Sequence, residues 1–103
     1  MKTFVNKKTD IWKGKTEEEG TIGFAELSIL ALNKPKQGGW GSAEQRRIFK
    51  IIDKLEDKEV DVEIQLDDAD VELILSCVKS PWGFMHRDVP RLEDYLEELM
   101  KEE

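Results

Sequence analysis

Cysteine and histidine each occur once in the 103 residues, and that scarcity removes whole classes of chemistry. A lone Cys77 makes no intrachain disulfide and no thiolate zinc site, because both need partners. Set among Ile74, Leu75 and Val78, it reads as a buried, inert thiol. With His86 alone, no two imidazoles stand at metal-ligand spacing. A catalytic dyad would have to join His86 to Cys77 or to a carboxylate, and nothing in the sequence fixes that geometry. Neither a metal nor a cofactor is expected. Long apolar runs are missing too: no segment approaches the roughly 20 residues that cross a bilayer, and Met1–Asn6 leads into polar residues rather than a secretory core. The expectation is a cytoplasmic protein without membrane contact. The length suits one domain with a modest core and is short for an enzyme that must wall off two substrates.

What the chain has in quantity is charge, unevenly placed. The formal net charge is −7, yet residues 1–50 carry ten Lys/Arg against six Asp/Glu, and residues 51–103 carry six against seventeen. From Asp53 to Glu72 stand ten carboxylates against Lys54 and Lys58. Such a field repels nucleic-acid phosphates and attracts basic surfaces, so direct nucleic-acid binding is not expected. The same polarity allows, without requiring, a homodimer in which the basic half of one copy meets the acidic half of another, weakening as salt rises.

Periodicity predicts a mainly α, α+β domain of about four helices with a short β-hairpin or two-stranded sheet. Residues 1–20 mix Thr3, Phe4, Val5, Ile11 and Trp12 with lysines and glycines, as in a strand, a hairpin or a flexible arm. Thr21–Asn33 is too broadly apolar for a solvent-facing helix and should be central, stopped by Asn33, Lys34 and Pro35. Ser42 with Gln45 three residues later suggests a capping box opening a helix to about Glu56, with Ile48, Ile51, Ile52 and Leu55 along one face. Val60, Val62, Ile64 and Leu66 alternate with polar residues, a half-buried strand that needs the N-terminal segment as its partner. Asp67 or Asp68 caps a helix over 68–79 carrying Val71, Ile74, Leu75 and Val78. A last helix over 88–101 tolerates Pro90 in its first turn and lines up Val89, Leu92, Leu96, Leu99 and Met100.

The motifs that catch the eye fail on spacing. In KPKQGGWGSAEQRR, from Lys34 to Arg47, Gly41-Ser42 lacks the lysine of a phosphate loop, and the third glycine of a dinucleotide fingerprint would fall at Glu44. An anion has only the helix start at Ser42 with Arg46 and Arg47 nearby, which defines the alternative reading of a small-ligand or nucleotide-binding module. His86-Arg87-Asp88 repeats the catalytic-loop tripeptide of protein kinases, but the required asparagine five residues on is Glu93. The cluster Asp67-Asp68-Ala69-Asp70 lacks calcium-loop spacing and reads as a helix N-terminus.

Aromatic residues in glycine-bearing loops remain. Trp40 and Trp82 each lie beside glycine, and Phe84 extends the second loop. Tryptophan and arginine dominate interface energetics, so Trp40, Arg46, Arg47, Trp82 and Phe84 are the candidate partner-binding residues; the competing reading folds each tryptophan back as a lid on the core.

PKQGGWGSAEQRRIFKIIDKLE, then IQLDDADVELILSCVKSPW, then DVPRLEDYLEEL are similar to small uncharacterised proteins carried by tailed bacteriophages. The shared features are a Pro-x-x-Gly-Gly turn, an arginine-bearing helix, a Leu-Asp-Asp-x-Asp cap and a tryptophan loop, over about two thirds of the chain; the first 30 residues do not take part. The resemblance implies an accessory role in a phage or prophage, such as assembly or inhibition of a host factor, in the host cytoplasm; it carries no assigned active site, so no catalytic residue is transferred from it. Together these readings favour a non-enzymatic interaction protein, an adaptor or inhibitor, working through the tryptophan loops or the acidic face, which as a variant would imitate nucleic-acid phosphates.

Overall fold

The computed structural model describes residues 1–12, 20–34, 38–82 and 85–101. The elements run β1 (Lys2–Val5), β2 (Lys8–Trp12), β3 (Thr21–Gly23), α1 (Phe24–Leu32), α2 (Ser42–Leu55), β4 (Glu63–Leu66), α3 (Asp68–Lys79) and α4 (Asp88–Lys101). The strands form two antiparallel pairs, β1 with β4 and β2 with β3. This is the expected small α+β domain of four helices, with the N-terminal segment pairing the strand that ends at Leu66.

Two boundaries differ from the periodicity. Thr21–Gly23 is strand, not helix, because β-branched Thr21 and Ile22 pair with β2 and the chain stays extended through Gly23. The fourth strand is shorter than the alternation suggested: Ile64 and Leu66 are buried, whereas Val60 and Val62 are exposed in the turn before it. That turn holds Asp57 and Asp61 at positive φ, a conformation that short polar side chains tolerate better than most.

α1 is the central helix, packed against α2 and α3, with Phe24, Ala25, Leu27, Ala31 and Leu32 buried. Gly23 offers it no side-chain cap, so its orphan amides are met from the N-terminal segment: Phe24 N donates to Lys7 O at 2.8 Å and Ala25 N to Asn6 Oδ1 at 2.8 Å. On α2 the four residues expected to face inward, Ile48, Ile51, Ile52 and Leu55, are all buried. Cys77 is buried in α3 with Val71, Ile74 and Val78, while Leu75 of the expected stripe is only half-buried against the core. α4 lies mainly on α3 and buries Leu92, Leu96 and Leu99; Val89 and Met100 rest at the margin. Its Tyr95 accepts from Val5 N at 2.7 Å and meets the Phe4 ring edge-on at 5.6 Å, fastening α4 to β1.

Candidate functional site

The described end of the connection between α1 and α2 caps the second helix, but the cap is not the expected one. Ser42 is the first residue of α2 and Gly41 the cap position; the reciprocal acceptor is Glu44, whose Oε1 takes the Gly41 N–H at 3.3 Å. Gln45, expected to complete the box, instead donates Nε2 to Trp40 O at 2.9 Å. The register is one residue earlier than the serine suggested because glycine also serves at this position, leaving the acid at the third helical residue to complete the turn. The start of α2 therefore already holds a carboxylate where the alternative reading would seat an anion.

Trp40 and Trp82 converge on one lysine. Trp40 donates Nε1 to the backbone oxygen of Lys34 at 3.2 Å, and Trp82 donates Nε1 to Val78 O at 2.7 Å. The Lys34 ammonium stands 4.4 Å from the centroid of the Trp82 ring and donates to Ser80 O at 2.8 Å and Pro81 O at 3.2 Å. Burial lowers the Lys34 pKa, with the Cys77 thiol acting in the opposite direction. Both indoles are half-buried and packed on the core, so this corner ties the end of α1 to the end of α3. Arg47 turns toward α3 and donates Nη2 to Ala69 O at 2.8 Å. Arg46 stands on the outer face of α2, and Phe84 lies outside the described residues. The four candidate residues that are described thus divide between the Lys34 corner, which holds Trp40 and Trp82, and the α2 positions of Arg46 and Arg47.

His86-Arg87-Asp88 forms a clamp between β2 and α4. Asp88 is fully buried; its Oδ2 accepts from Asp10 N at 2.8 Å and its Oδ1 pairs with Arg91, joining β2 to the start of α4. Its own N–H donates to His86 Nδ1 at 3.0 Å. Asp70 plays a similar part at α3, accepting from Asp67 N at 3.3 Å and pairing with Lys54 at 2.8 Å. The carboxylates there cap a helix as the spacing suggested. Among the described residues no group of three or more His, Cys, Asp or Glu is placed to hold a metal ion.

A concave feature among the described residues lies elsewhere, between α1, the β2–β3 pair and the turn after α2. It is an open groove of about 750 Å³ with an apolar floor of Ile11, Ile22, Ile29 and Leu30. Its rim is Glu26 from α1 with Glu56, Asp57, Lys58 and Glu59 from the turn. Leu30, at 46 % exposure, is a large aliphatic side chain left open to solvent on a helix most of whose residues are buried. A single residue fixes the rim. Asn6 is fully buried, and its Nδ2 donates to Lys58 O at 3.2 Å and Glu59 O at 2.9 Å while its Oδ1 caps α1, so one carboxamide sets the separation of the two walls. Its backbone completes the tie: Asn6 N donates to Val62 O and Asp61 N donates to Asn6 O.

Sequence reasoning found the acidity of this region and missed the groove. Leu30 is indistinguishable in sequence from its buried neighbours in a nearly continuous apolar run, and nothing local marks Asn6 as a buried tie. Among the described residues no helix is long and apolar enough to cross a membrane. No family model, curated protein or solved structure matches the chain.

Proposed function

We propose that this chain is a non-catalytic protein-interaction module, a phage or prophage accessory protein that binds a host or phage protein, and that the groove beside α1 is its binding surface. The observation that carries the reading is the pairing of an open aliphatic floor with a rim bearing four carboxylates and one lysine. A floor of this kind takes apolar side chains, and the rim favours those presented among cations. The acidic field of residues 53–72 adds long-range attraction for a basic partner. The tied corner at Lys34 and the buried clamp at Asp88 then serve as scaffold, holding the elements that line the groove.

Affinity capture from the organism that encodes the protein, read by mass spectrometry, tests the proposal when run beside Leu30→Lys and a distant control, Met85→Ser. Met85 is 98 % exposed, so its replacement leaves the groove intact. The expected result is a protein retained by the wild type and by Met85→Ser and lost by Leu30→Lys. Retention of the same proteins by Leu30→Lys would refute the assignment.

A further inference from the structure

The groove calls for an apolar side chain carried among cations, and this chain displays one on its own surface. The buried residues of α2 take one side of that helix, and Arg46, Phe49, Lys50 and Asp53, spaced at i, i+3, i+4 and i+7, run along the exposed side. Phe49 is 55 % exposed, an aromatic ring in mid-helix that contributes little to the core. Glu56 follows it by seven residues, two helical turns or about 10 Å along the axis, on the same side. The outward side of α2 is therefore basic and aromatic in its first half. It turns acidic at its end, where it runs into the Glu56–Glu59 rim of the groove.

A surface with that polarity is complementary to itself when turned end for end. We infer that a second copy of this chain occupies the groove. The two α2 helices lie antiparallel about a two-fold axis near Ile52 and Asp53, Phe49 of each copy enters the groove of the other, and Arg46 and Lys50 face Glu59 and Glu56 across the interface. The inference rests on the groove being a binding surface and adds what fills it when no other protein is present. Because the same patch serves both copies, the contact closes at two and exposes no further ridge or groove. Asp53 of each copy comes near the axis, where like charges oppose each other.

Sedimentation of the full chain over a concentration series, at low and at high salt, tests this. The wild type is expected to move from monomer to dimer with rising concentration and to dissociate more readily in high salt, since exposed charge pairs are screened. Phe49→Ser, Arg46→Glu with Lys50→Glu, and Glu56→Lys with Glu59→Lys should each raise the dissociation constant by roughly tenfold or more, and Asp53→Asn should lower it. The decisive arm mixes the two charge-reversed proteins. Each alone sets like charges against like, whereas one of each restores both contacts, so the mixture should dimerise; circular dichroism of each variant confirms that it is folded. A wild type that stays monomeric throughout, species larger than a dimer, or a mixture that remains monomeric would overturn the inference. A monomeric wild type that still captures another protein through Leu30 would leave the proposed function standing, while a dimer that captures nothing would do the reverse.

Discussion

A Cβ placed on Gly23 would lie 2.1 Å from Oδ1 of Asn6. The glycine is present for space and not for conformation, since its φ of −103° and ψ of 179° suit any residue. The space belongs to a fully buried carboxamide that caps α1 and holds the backbone of Lys58 and Glu59.

Gly23→Ala should therefore displace Asn6 and break the tie between the groove walls, costing more than about 2 kcal/mol. Asn6→Ala, which leaves one amide and two carbonyls short of partners, should cost a similar amount. The double variant should lose less than the sum, because both changes remove one network. Urea unfolding of the three proteins measures this, and additive losses would mean that the residues act separately.

For the tryptophans, the expected outcome is loss of stability. Trp40→Ala and Trp82→Ala each remove a half-buried indole with its N–H bonded inside the fold, at a cost of about 1–3 kcal/mol, below the figure for a fully buried ring. A melting temperature unchanged by either substitution would return that residue to the role of a recognition side chain.

At the start of α2, Ser42→Ala should fall within about 0.5 kcal/mol of the wild type, as expected of an exposed residue with no capping role. Glu44→Ala should cost more, about 0.3–1 kcal/mol, through loss of the Gly41 N–H acceptor and of the favourable charge in the first turn. Chemical denaturation ranks the two, and a larger loss for Ser42→Ala would restore the serine as the cap.

Two lysines give opposite signatures above neutral pH. The hydrogen bond to Asp70 raises the Lys54 pKa above its ordinary 10.5, so its contribution is complete below that value and fades as pH climbs through the higher folded value. Lys54→Met should thus be less stable than wild type near neutrality, and the gap should narrow above pH 10.5. Lys34 is shifted the other way by burial, so the folded protein gives up that proton first and its penalty eases as pH approaches 10.5 from below. Unfolding free energies followed from pH 8 to 11 should show the slope fall in Lys34→Met and rise in Lys54→Met; parallel curves for all three proteins would contradict both assignments.

Much of the fold was legible because helices announce themselves through local rules. The stripe Ile48, Ile51, Ile52, Leu55 and the cap at Asp67 depend only on neighbours in sequence, and both lie where spacing put them. What sequence hid depends on distant residues. Thr21 and Ile22 join an apolar run that continues into α1, and only pairing with β2 makes them a strand. Leu30 and Leu32 are the same residue type two positions apart, yet one is open to solvent and the other sealed, a difference set by which neighbours arrive. The candidate site was half legible for the same reason: charge is additive along a chain and was visible, whereas concavity is a property of three separate segments meeting.

The pairing of β1 with β4 also governs when the protein can fold. Thr3 sits opposite Gln65, and Val5 N is satisfied by Tyr95, 90 positions further on. During synthesis the first strand emerges with its partners still unmade, and the amides that cap α1 wait on a segment whose own anchors come last. Closure is thus deferred until α4 leaves the ribosome, and long-range pairing of this kind slows the search once it begins. Until then the aliphatic run of α1 is exposed to solvent, the interval in which a chaperone has most to hold.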